Sequence, residues 1–146
     1  MIQNELIGVD TARTLANVAL LAAWEGDSAA AEYILMALQA AKPNEANIRV
    51  CRAMVFACRD RHAESIALLN GVLHDDPENV CAKALLGYVM FSAGEQGWDV
   101  MLEDVVRDGS DRASVDLAQQ ILMEGRVGEM QAVQVNPSGS HLIPYA

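Results

Sequence analysis

One interval, 34 residues, recurs along this chain and constrains its fold more than any other feature. Pro43 and Pro77 are separated by 34 positions, and Asp111 follows at the same step. Gly26, Asp60 and Gly94 repeat it, as do Ala19, Ala53 and Gly87, and Ala31, Ser65 and Asp99. Four series in one phase mean stacked structural units, each able to bury its apolar face only against its neighbours. Thirty-four residues accommodate a helix of about 13 residues, a turn at the Gly or Asp, and a returning helix. A Pro or Asp then closes the unit, because proline cannot continue a helix interior. The small residues Ala19, Ala53 and Gly87 would let the first helix approach its partner closely. Ala31, Ser65 and Asp99 mark where the two helices cross, and Asp99 fits that place worst.

Composition supports helices. The hydrophobic set makes up 52% of the 146 residues and charged residues 21%, too apolar for a disordered chain. The apolar mass is Ala, Leu, Val and Met, with few aromatics, which favours helix over strand. The expected fold is therefore all-α: an α-solenoid of three helical hairpins with a C-terminal capping helix. Helices are predicted at about Asp10–Glu25 (extending back towards Ile2), Ser28–Ala41, Ala46–Cys58, His62–Leu73, Val80–Ala93 and Gly97–Asp108. A seventh, at about Asp111–Met123, starts on an acidic cap and covers the open end. Residues 1–125 form the predicted helical domain, with repeats at about 12–45, 46–79 and 80–113. Residues 126–146 are a predicted tail, in which Asn136-Pro137-Ser138-Gly139-Ser140 is a turn or linker.

The formal net charge is −10, which repels phosphate backbones and anionic bilayers; nucleic acid and membrane insertion are excluded as expectations. The longest apolar run, Val18 to Trp24, has seven residues, against about 20 for a spanning helix. Met1-Ile2-Gln3-Asn4-Glu5 lacks the basic region of a secretory signal. Cys51, Cys58 and Cys81 form no CxxC and are odd in number, so they read as small core thiols in a reducing cytoplasm.

Gly26-Asp27-Ser28-Ala29-Ala30-Ala31, ending at Lys42-Pro43-Asn44, resembles the second helix of a tetratricopeptide repeat. Arg61-His62-Ala63-Glu64-Ser65-Ile66-Ala67 up to Asp76-Pro77 resembles another copy, and Leu86-Gly87-Tyr88 with Ala93-Gly94-Glu95 the first helix of a third. The usual first-helix aromatic is replaced by Leu15, Arg49 and Lys83. In such a stack the first helices form the concave wall. The predicted groove is Ala16, Leu20, Ala23 and Trp24 from the first unit, Val50, Met54, Ala57 and Cys58 from the second, and Ala84, Tyr88 and Phe91 from the third. Arg13, Asn47, Cys81 and Ser92 share that side. An uncovered apolar strip of this kind marks an interaction site, suited to an amphipathic helix laid in a groove. The alternative is a strip covered from within, by the tail or by tight curvature. Co-chaperones of this repeat class hold acidic tails with Lys, Arg and Asn. At the matching positions this chain has Ala16, Leu20, Cys51, Cys81 and Leu85, which predicts an apolar ligand.

Catalytic and metal chemistry finds little support. His62-Ala63-Glu64 matches the HxE of zinc deaminases, but no PCxxC follows. Cys51 and Cys58 sit seven residues apart on one predicted helix, about 10 Å of rise, too far to share a metal. No P-loop, GxGxxG or GxSxG occurs. The expectation is a protein that is not an enzyme and has no cofactor or metal.

The stretch Ala82-Lys83-Ala84-Leu85-Leu86-Gly87 through Ala93-Gly94-Glu95 and Trp98, then Glu103-Asp104-Val105-Val106, is similar to type III secretion accessory proteins. It looks most like the Hrp-type family of plant-associated bacteria and, more distantly, needle-subunit chaperones. That resemblance implies a bacterial cytoplasmic chaperone in a virulence apparatus, holding the amphipathic helix of a needle-like export subunit against premature assembly. It also implies a small helical co-chaperone. The alternatives are a chaperone for membrane-inserting translocators and a general repeat scaffold joining two proteins. Leu142-Ile143-Pro144-Tyr145 is an apolar patch expected to occupy apolar surface in its own molecule or in a neighbour, the latter giving self-association.

Overall fold

The computed structural model describes residues 8–42 and 45–135. Among them the chain forms seven α-helices and no strand: α1 (Val9–Trp24), α2 (Ser28–Ala41), α3 (Ala46–Cys58), α4 (His62–Asp75), α5 (Val80–Ala93), α6 (Trp98–Asp108) and α7 (Arg112–Val135). Pro43, the extension towards Ile2, and the tail patch Leu142 to Tyr145 lie outside the described residues.

The turn series has a direct conformational meaning. Gly26, Asp60 and Gly94 all adopt positive φ, at 93°, 58° and 74°, so the 34-residue phase is a phase of left-handed turns. Asp60 is the only non-glycine residue with positive φ among the described residues. Capping completes the helix starts. Asp27 accepts a hydrogen bond from the Ala30 N–H, Asn79 from Ala82, and Asp111 from Ser114, at 3.0–3.1 Å.

Each hairpin closes on its small residues. Ala19 and Ala31 are fully buried in one cluster, and the Ser65 hydroxyl donates to the Ala53 carbonyl at 2.7 Å. A Cβ placed on Gly87 would stand 2.5 Å from Leu102 Cδ2, so only glycine admits α6 at that distance. Here the register departs from the sequence-based expectation. The buried residues of α6, Leu102 and Val105, follow Leu69 and Val72 by 33 positions, and Asp99 is exposed. Trp98, not Asp99, therefore takes the place held by Ala31 and Ser65. The turn before α6 contains two left-handed glycines, Gly94 and Gly97, which reset the phase.

Each first helix touches the first helix of the next hairpin, whereas the second helices scarcely meet. The first helices accordingly form the tighter inner layer of an α-solenoid. Helix α7 continues that layer against α5 and α6 and runs to Val135, twelve residues past its predicted end. The seat is made by Gly125, which is buried beneath the Trp98 ring; a Cβ there would lie 2.2 Å from Trp98 Cη2. Trp98 in turn packs edge-on against Phe91, with centroids 4.7 Å apart. Val133-Gln134-Val135, predicted as tail, belongs to this helix.

Two substitutions test this account by chemical denaturation followed by circular dichroism. Gly125→Val should destabilise by about 1–3 kcal/mol by forcing Trp98 off Phe91. Asp60→Gly should stabilise by about 1 kcal/mol, because glycine carries no Cβ penalty at positive φ.

Candidate functional site

The inner layer carries a cavity of about 290 Å³ beside the N-terminal turns of α3 and α5. Ala12, Ala16, Ile48, Val50 and the thiols of Cys51 and Cys81 supply its apolar wall. Arg13, Asn17, Lys42, Glu45 and Asn47 supply a polar one. Arg13 and Asn17 lie one turn apart on α1, Lys42 ends α2, and Glu45 is the N-cap residue of α3 without a side-chain capping bond.

The eleven predicted groove residues divide into three groups. Ala16 and Val50 line this cavity, but Val50 is buried in the core of the second hairpin, a correction to its predicted place in the open groove. Leu20, Met54, Ala57 and Phe91 are half-buried, Tyr88 is 40% and Trp24 64% exposed, and Cys58 is exposed, so all of these can be reached from solvent. Ala23 and Ala84 are corrections. They are buried in the core clusters of the first and third hairpins, because their small side chains sit where neighbouring helices approach. The thiols are also corrected. Cys51 is half-buried against the first core cluster, and Cys58 and Cys81 are exposed.

The register of the first-unit positions needs correction at the same place. It rests on Ala16 and Leu20, whereas the cavity takes Arg13 and Asn17 from α1. Their one-turn spacing was legible; the assumed register hid it. Several basic residues elsewhere are engaged in ion pairs. Arg49 meets Asp75 at 2.7 Å, Arg59 meets Glu32 at 2.5 Å, Arg61 meets Glu64 at 2.5 Å, and Lys83 meets Asp104 at 3.2 Å. Arg13 and Lys42 form no ion pair with the described residues.

Among the described residues no three His, Cys, Asp or Glu side chains cluster so as to hold a metal ion, and no helix is long and apolar enough to cross a membrane. Burial pushes the Cys51 thiol up to about 11, with nearby Cys81 adding to the effect. Cys51 should therefore alkylate slowly at pH 8 in the folded protein, its rate rising about tenfold per pH unit until about pH 11. Site-resolved mass spectrometry would check this against the urea-unfolded chain. Because the unfolded thiol ionises first, this group's contribution to stability is complete below pH 9 and is lost as pH rises towards 11.

Comparison with curated proteins and with solved structures gave no match. A family model, described as bacterial type III secretion protein (HrpB1_HrpK), matches residues 4–126. That span takes in helices α1 to α6, the cavity, and α7 through Gly125 beneath Trp98. The chain belongs to this family of bacterial type III secretion proteins.

Proposed function

We propose that this protein is a chaperone or adaptor of the type III secretion system, holding an amphipathic helix of an export substrate against its concave face. The observation that carries this reading is the row Leu20, Met54 and Tyr88. These residues recur at 34-residue steps on three successive first helices, and all three remain partly open to solvent. Trp24 and Phe91 extend the row at its two ends. A helix laid across the row would bury a few hundred Å² of apolar surface, on the order of 5–10 kcal/mol at about 25 cal/mol per Å². That is enough to offset ordering a short helix and leave useful affinity. Met54 adapts to different side chains, which suits a client held briefly and then released. A needle-like subunit that assembles through its own amphipathic helix is the substrate class this groove fits best.

The test is co-expression with the needle-like subunit encoded alongside the secretion apparatus, followed by size-exclusion chromatography. The wild-type protein should hold the subunit in a discrete soluble complex. Leu20→Asp and Tyr88→Asp should abolish that complex with helical content unchanged, because a carboxylate would be desolvated against the bound helix. Unhindered assembly of the subunit in the presence of wild-type protein would overturn the reading.

A further inference from the structure

We infer that the cavity at the N-terminal ends of α3 and α5 is a carboxylate-binding subsite. It would receive an Asp or Glu side chain set into the apolar face of the client helix. This rests on the groove reading above and adds to it a polar determinant of specificity.

Charge is the first argument. In a chain of net charge −10, the two cations Arg13 and Lys42 line one small cavity and form no ion pair with the described residues. Glu45, the one acidic residue of the lining, leaves it one positive charge in excess. Backbone polarity is the second. Asn47 is the second residue of α3 and Cys81 the second of α5, so two helix N-termini abut the same space. The α3 end has no side-chain capping bond, leaving its first-turn N–H groups to attract an anion. Cys51 is held as a neutral thiol by burial, so it adds no negative charge.

Shape then selects the kind of carboxylate. The rest of the lining is apolar, with Ile48 and Val50 buried and Ala16 half-buried. From that wall, Leu20 lies one turn further along α1 and Met54 one turn further along α3. A helix carrying an acidic residue one turn from a Leu or Met would satisfy both parts at once. An isolated anion would leave the apolar wall wet. An entirely apolar helix would leave Arg13 and Lys42 desolvated without a partner, which costs more than it gains.

The experiment uses the full chain and three synthetic amphipathic helical peptides, blocked at the N-terminus, with binding read by fluorescence anisotropy. The first carries Glu in the middle of its apolar face and a C-terminal amide. The second is identical but for Gln in that place. The third carries Gln and a free C-terminal carboxylate. The Glu peptide should bind about tenfold more tightly than the Gln peptide, as a charge-assisted pair supplies. The advantage should shrink as salt is raised. Arg13→Gln with Lys42→Gln should erase the advantage, and Arg13→Lys should restore part of it. Both side chains are surface-accessible, and an unchanged helical spectrum would confirm that the variants fold. Equal binding of the Glu and Gln peptides would overturn the subsite while leaving the groove reading in place. Preference for the free C-terminus would show that the carboxylate comes from a chain end and overturn the side-chain assignment. Failure of all three peptides to bind would overturn both readings.

Discussion

The close crossing inside each hairpin is the contact on which the rest of the solenoid depends. Ala19 with Ala31, Ala53 with Ser65, and Gly87 with Leu102 bring paired backbones together, so larger side chains must project to either side. They fill three clusters, each shared between one hairpin and the first helix of the next: α1–α2–α3, α3–α4–α5 and α5–α6–α7. Each crossing solves a different local problem. Ser65 is fully buried, and its hydroxyl is satisfied by the Ala53 carbonyl, avoiding a desolvation cost on the order of 1–3 kcal/mol. Gly87 sacrifices about 1 kcal/mol of helix propensity, and the space it leaves is taken by Leu102.

Basic residues stitch these units together and thereby decide where positive charge is left over. Arg49 and Lys83 stand where the resemblance to tetratricopeptide repeats would put an aromatic ring. Each reaches the second helix of its own hairpin: Arg49 lies over Gly71 and bonds Asp75, and Lys83 bonds Asp104. Arg59 reaches back to Glu32 on α2, and Arg61 stacks over Phe56 at 4.6 Å while pairing with Glu64. Exposed ion pairs contribute little individually, from nothing to about 1 kcal/mol. The packed aliphatic stems matter as much as the charges. With these cations committed to the hairpins, Arg13 and Lys42 give the cavity its sign.

Much of the architecture was legible because the repeat acts through residues with strong backbone preferences. The bounds of α2, α3 and α5 follow directly from Ser28, Ala46 and Val80 at their starts and from the turn series at 26, 60 and 94. The third crossing was not legible. Counting 34 leads to Asp99, and nothing local reveals that a second left-handed glycine, Gly97, shifts α6 by one residue. Three of the eleven groove positions, Ala23, Val50 and Ala84, are buried instead, for a related reason. A helix position faces the groove or the core according to small rotations, and Ala23 and Ala84 are small enough to be drawn inward. The polar half of the cavity was hidden by register: Arg13 and Asn17 lie at the α1 positions that match Asn47 and Cys51 of α3, not at Ala16 and Leu20.

The length of α7 follows from the same packing logic, applied at an end. Ser114, Ala118, Ile121 and Gly125 form the face that meets α5 and α6, at spacings of four, three and four residues. Gly125 would mark the end of a free helix, yet here it is held inside one because Trp98 needs its missing Cβ. The strength of that seat explains why a weak helix former does not stop the helix. On its other side α7 presents Asp116, Gln119, Gln120, Glu124 and Gln131, with Met123, Val127 and Gly128, along an open groove. The polar groups are compatible with water, while Met123 and Val127 stay exposed among them, so this face of the described stack is of mixed character. Met123, Val127 and Met130 thus give the described end of the stack an apolar share of its own, while the row Leu20, Met54 and Tyr88 runs along the inner surface of α1, α3 and α5.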